Sequence, residues 1–205
     1  VISQYFGGRR KEDMSKAVHS SIALTALLSV VFTVAGMLFT KPLLRAIGVP
    51  EEVLPHSSLY LTIYFAGMTF SLFYNMGSGI LRAVGDSRHP LIYLAVASLV
   101  NIALDFLFVC GFHMGIAGVA IATIIAQAVS SAMVMYKLMH TQEDYKLELR
   151  KIHFHKKMVK KIIAFGFPAA LQQSITSFSN VIVQSYINRF GATAMAGYSA
   201  AIRID

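Results

Sequence analysis

Charge is scarce in this chain of 205 residues: Asp, Glu, Lys and Arg together make up 14%. Soluble domains carry about 25%, so an ordinary water-soluble enzyme is excluded. The shortage does not signal disorder, which needs low hydrophobicity and high net charge, because 56% of the residues are hydrophobic and the mean hydropathy is +0.60. Cysteine is nearly absent. Cys110 stands alone, so the chain has no internal disulfide framework. Also missing are paired carboxylates within apolar segments, an HExxH pair, a phosphate-binding glycine loop and a nucleophile motif. Nothing here reads as a catalytic centre. No secretory signal opens the chain, since Val1 to Arg10 hold no apolar core of sufficient length. The first residue is Val, and Asp205 follows an unfinished apolar run, which reads as an internal piece of a longer protein.

What the chain does have is long apolar segments with short polar joints. They cover residues 17–39, 58–84, 90–111, 115–139 and 162–187, and a sixth opens at Ala192. Each complete one has at least ~20 residues, enough to cross ~30 Å of hydrocarbon as a helix. A buried soluble helix of such length would show a charged outer face, and these show none. The predicted class is therefore an all-α polytopic membrane protein.

Charge placement agrees. Of the ten acidic residues, only Asp105 lies deep inside an apolar segment. The basic residues crowd into alternate joints: Arg9, Arg10, Lys11 and Lys16, then Arg82 and Arg88, then the eight from Lys137 to Lys161. The other side has Lys41, Arg45 and Arg189, while Arg203 falls in the truncated segment. This bias places the opening joint in the cytoplasm. It also explains the pI of 9.7 by contact with anionic lipid headgroups, which removes nucleic acid as a partner. Lys41-Pro42, Val49-Pro50 and Leu54-Pro55 break the joint after the first span, and Gly85-Asp86-Ser87 makes a tight turn before Pro90. The joint from Gly111 to Gly115 is so short that its flanking spans must be antiparallel neighbours. Residues 141–157 form the longest polar stretch and read as a cytoplasmic linker between residues 1–140 and 158–205, with His153 and His155 in solvated positions.

An ionised carboxylate inside a bilayer costs a few kcal/mol or more, so Asp105 must face protein or water. Asn101 is one turn earlier on the same face. Thr123, on the next span, comes to a similar depth, ~12 Å below the outer surface at 1.5 Å per residue. Three oxygen-bearing groups at one level can form a cation or proton site with hard ligands. They can equally form a structural hydrogen-bonded knot between helices. On the fifth span Gln172, Thr176, Asn180 and Gln184 recur every four residues, widened by Gln173 and Ser177. This stripe is either the wall of a watery cavity or interhelical glue. Pro168 marks either a bend or a helix start. Aromatic and methionine side chains such as Tyr60, Tyr64, Phe73 and Met76 suit a pocket for flat lipophilic cations or plain apolar packing.

These residues resemble the multidrug and toxic compound extrusion (MATE) transporters along essentially the whole chain. The opening Ser3-Gln4-Tyr5-Phe6-Gly7-Gly8-Arg9-Arg10 looks like the loop after the family's second helix, and the run from Gly79 to Pro90 (GILRAVGDSRHP) like the loop between helices four and five. Asn101-Ile102-Ala103-Leu104-Asp105 and the run from Gly115 to Thr123 follow helices five and six; Gly166 to Gln172 resembles the start of helix seven. The resemblance implies a partial MATE fold, from the end of helix two to part of helix eight of a twelve-helix, two-lobe transporter. It implies that Asn101, Asp105 and Thr123 line a cation site that an acidic residue on the missing helix one completes. Some members carry a glutamate midway along helix seven; this chain has Thr176 near there and no acid on that span, a pattern closer to bacterial DinF-like or Gram-positive members.

The implied function is that of a secondary antiporter, not an enzyme. It would export cationic or lipophilic drugs from a bacterial cell membrane in exchange for Na+ or H+, without an organic cofactor, as a monomer when full length. Its other partners would be membrane lipids and the remainder of its own chain. A lipid-linked precursor flippase of the same superfamily is the alternative, but it would want basic residues near mid-span, and none is present. A membrane-embedded enzyme would need catalytic residues outside this piece.

Overall fold

The computed structural model describes residues 1–46 and 51–188, with the side chains of Val181 and of residues 184–188 outside the described set. The Val49-Pro50 break, Arg189, Arg203 and the sixth apolar segment therefore lie outside the described residues, as does the Gln184 side chain.

Helix α1 is the short Ile2–Gly7, followed by α2, Lys11–Ala46, and α3, Leu54–Ala83. Helix α4, Arg88–Asp105, runs on into a π-helical stretch, Phe106–Gly111. Helix α5 is Gly115–His140; a 3-10 turn, Leu149–Lys151, precedes α6, Lys156–Asn188. Among the described residues, three helical stretches are long and apolar enough to cross a membrane: Lys11–Ala46, Arg88–Gly111 and Gly115–His140. Helices α3 and α6, of 30 and 33 residues, reach as far but are diluted by Ser, Thr, Asn and Gln. The large exposed side chains of α2 and α4, such as Leu38, Phe39, Leu91 and Leu99, are what a lipid- or helix-facing surface requires, and a water-facing one does not.

Residues 1–159 form one compact unit and 160–205 a second. Within the first, α2 packs on α3, α3 on α5 and α5 on α4. The expected antiparallel neighbours, α4 and α5, are thus in contact. Helices α3 and α5 approach closely because two buried glycines of α3 have no side chain to hold them apart. A Cβ on Gly67 would collide with Ile124, and one on Gly77 with Val134. Small residues at such contacts let helix backbones close in, the usual source of helix association in a membrane.

The turn between α3 and α4 depends on Gly85, whose φ of +91° only glycine adopts without strain. Asp86 then caps α4: its Oδ1 accepts from the backbone N–H of His89 at 3.2 Å and its Oδ2 pairs with His89 Nδ1 at 2.6 Å. Burial pushes the Asp86 carboxyl up, but the hydrogen bonds and charge of His89, with Lys137 beyond, outweigh it and hold it below its ordinary value.

The dry core sits at the end of the unit where the basic residues cluster. It joins Tyr5, Met14, Val18 and Ile22 to Ile80, Leu81, Val134 and Leu138. Tyr145 and Leu147, from the polar stretch after α5, are buried in the same cluster with 7% and 2% exposure, as is Met158 with 9%. The segment is pinned by polar contacts too. Leu147 N–H donates to Leu138 C=O at 2.8 Å. His19, buried in α2, accepts from Glu148 N–H at Nε2 (3.1 Å), so its Nδ1 carries the proton that faces Ser15 C=O at 2.7 Å. Ser20 Oγ accepts from His155 N–H and donates to His153 C=O, both at 3.3 Å. His155 is thus half-buried and bonded rather than solvated, while His153 is exposed. Lys11 reaches Asp144 at 3.2 Å. Truncating a buried leucine such as Leu147 costs about 2–5 kcal/mol.

Candidate functional site

Residues of α3, α4 and α5 face one another around a gap. The result is a cleft of ≈ 290 Å3. Asn101 of α4 and Thr123 of α5 both line it, so these two sequence-predicted residues face a common space. Their neighbours there are polar as well: Ser71, Tyr74 and Asn75 from α3, Ser98 from α4, Gln127 and Ser130 from α5. Each has a local reason to be there. Asn101 is three residues after Ser98, and Gln127 four after Thr123, the spacings that keep helical side chains on one face.

Asp105 is one turn beyond Asn101 on α4 and is half-buried; it is not among the cleft-lining residues. Its Oδ1 and the Nδ2 of Asn101 are both buried without a hydrogen-bond partner. An unpaired buried polar atom costs ~1–3 kcal/mol, and more if charged, so two on adjacent turns call for something to complete them. Thr123 Oγ1 donates to Val119 C=O at 2.9 Å. With its proton committed to its own helix, the hydroxyl offers only lone pairs outward. Asn101 and Thr123 thus meet at the cleft, while Asp105 lies outside its lining.

Asp105 also ends the regular part of its helix. The π-helical stretch begins at Phe106, and it is packed against α5 where a Cβ on Gly118 would press on Phe108 Cβ at 2.9 Å. π-helical turns often occur at functional positions in helices. Among the described residues no group of three or more His, Cys, Asp or Glu side chains could hold a metal ion.

The polar stripe of α6 is a separate matter. Gln172, Thr176 and Asn180 are all exposed, and Thr176 Oγ1 donates to Gln172 C=O at 3.0 Å. They belong to the second unit, whereas Asn101 and Thr123 belong to the first. Sequence reasoning missed Ser71, Asn75, Ser98, Gln127 and Ser130. The signal was available, because Ser71 and Asn75, like Thr123 and Gln127, repeat the four-residue interval that exposed the α6 stripe.

Comparison with known proteins gives the chain its relatives. The MatE family profile matches residues 1–107. A Bacillus subtilis protein named "probable multidrug resistance protein YpnP" is 31% identical over 206 residues, covering 100% of this chain and 46% of the relative. Another from the same organism, named "probable multidrug resistance protein YoeA", is 32% identical and covers 97% of this chain and 44% of itself. A crystal structure of MATE in the bent conformation superposes with a TM-score of 0.87 at 30% identity, over 99% of this chain and 46% of that one. The chain thus spans a little under half the length of the curated relatives it matches. The all-helical fold, the apolar spans and these matches agree that the chain belongs to the MATE family, whose members are membrane transporters and not enzymes.

Proposed function

We propose that the full-length protein is a secondary antiporter that exports organic cations, drugs among them, across the cell membrane in exchange for Na+ or H+. Asn101, Asp105 and Thr123 form this chain's part of the coupling-ion site. The observation that carries this is the buried, unpartnered Asp105 Oδ1 inside the apolar span, one turn from Asn101, which lines a polar cleft. An ionisable group at that depth is expensive unless it serves a function. The names of the multidrug-resistance relatives support the cargo.

Residues 1–140 make up most of the first lobe, 141–157 the cytoplasmic connection and 158–205 the start of the second lobe. The α6 stripe of Gln172, Thr176, Asn180 and Gln184 lines the substrate cavity from the second lobe. Coupling follows if ion and drug prefer different arrangements of the lobes, since a ligand can shift an equilibrium only by its differential affinity.

The test is drug flux from vesicles containing the full-length protein under an imposed Na+ or proton gradient. Asp105→Asn should lower gradient-driven efflux at least ten-fold with the amount of protein in the membrane unchanged. Efflux that stays gradient-driven in that variant removes Asp105 from the mechanism.

A further inference from the structure

We propose that Tyr145, Leu147 and Met158 form a plug that keeps water and ions on the basic side of the membrane from reaching the polar cleft through the interior of the first unit. The connection after α5 would then be a seal as well as a tether. This goes beyond the ion-site reading and does not need it to be correct.

The cleft and the dry cluster are stacked along the same helices. Tyr74 lines the cleft and packs against the cluster, with its hydroxyl donating to Pro90 C=O at 3.0 Å. Ser130 lines the cleft, and Val134, one turn on, is fully buried in the cluster. Ser78 lies between the two levels on α3, 2% exposed, with its Oγ buried and unpartnered. A polar cleft directly above an end rich in lysine and arginine is wetted from that end unless a dry layer separates the two. The helices supply part of that layer, and the rest comes from the chain segment that follows them.

That segment is built to stay in place. Its backbone donates at Leu147 to the end of α5, at Glu148 to His19 and at His155 to Ser20. These bonds satisfy main-chain groups that burial would otherwise orphan. Met158 closes the far side, where Tyr5 Oη donates to its Sδ at 3.6 Å. The polar residues of the segment face outward, and Lys151 holds Glu148 at 2.8 Å there.

The experiment uses the full-length protein with its native cysteines replaced and Ser78→Cys introduced as a reporter. A membrane-impermeant, charged thiol reagent is applied from the basic side in vesicles of defined orientation. In the parent the reporter should react slowly. Tyr145→Ala combined with Leu147→Ala should raise its rate from that side at least ten-fold and leave the rate from the opposite side unchanged. A parent that reacts as fast as the double variant, or a double variant as slow as the parent, would overturn the proposal. Should the double variant fail to reach the membrane, hydrogen exchange on the parent decides. The amides of Leu147 and Glu148 should exchange at least a hundred-fold more slowly than that of exposed Gln142, and equal rates would overturn the proposal. Neither readout requires transport. A failed flux assay would thus remove the ion-site reading and leave the plug standing, and the reverse.

Discussion

Thr123 and Asp86 show how little a residue's chemistry says until its partners are known. Thr123 spends its proton on Val119 C=O, so only the oxygen is left to act. Thr123→Ser should preserve ion-driven efflux in the full-length protein. Thr123→Ala should raise the half-saturating ion concentration about ten-fold, in line with the ~1.5 kcal/mol expected for one ligand to a charged partner; initial rates against ion concentration check this. Asp86 stands apart from the site and works as a helix cap. Asp86→Ala should cost ~1 kcal/mol. Because the folded carboxyl lies below its ordinary value, its contribution is fully present above the unfolded carboxylate's range. It is lost as pH falls through the folded value. Thermal melts of both proteins should therefore differ at neutral pH and converge in acid. At this scale the sequence was legible where it broke a rule: an acid in an apolar run points to itself. Ser71, Asn75 and Gln127 break no rule singly, and only their shared interval and the facing helix reveal them.

For the helices, the apolar segment marks the membrane crossing and not the helix. The run at residues 17–39 is the middle of α2, Lys11–Ala46, whose charged first turn holds Glu12 and Asp13. Acidic groups there favour a helix start, yet hydropathy reads them as the end of the segment. The π-helical stretch after Asp105, which lies against Gly118 of α5, left no trace in sequence. The α3–α5 contact makes a paired prediction. Gly77→Ala should destabilise the protein by ~1–3 kcal/mol, because the new methyl meets Val134 and the core must shift. Gly79, two residues on, has open space where a Cβ would go. Gly79→Ala should be neutral or stabilise by up to ~1 kcal/mol, as alanine favours a helix over glycine. Unfolding midpoints in one detergent separate the two.

At the level of the molecule, the joint from Gly111 to Gly115 was legible, because so short a connection makes α4 and α5 neighbours, and the two are in contact. Polar composition concealed the seal. Residues 141–157 read as a solvated linker, yet Tyr145 and Leu147 are buried and the backbone between them and His155 is bonded to α2 and α5. Of the run's apolar residues, Tyr145, Leu147, Leu149, Ile152 and Phe154, only the first two are buried, and nothing in their spacing sets those two apart. A chain of these 205 residues, reconstituted alone, should show no gradient-driven drug efflux above empty vesicles, since it spans under half of its relatives. Efflux by such a preparation would mean that the second lobe is dispensable.

The bare backbones at Gly67 and Gly77 have one more effect. At both levels a branched side chain of α5, Ile124 or Val134, lies directly on bare main chain of α3, with no facing side chain that could give way. Side chains along the gap can change its lining, but its width is a matter of backbone spacing. Drift toward a new cargo would thus proceed by swapping the polar residues that face the gap, whereas widening it would require sacrificing the weld that keeps the lobe whole.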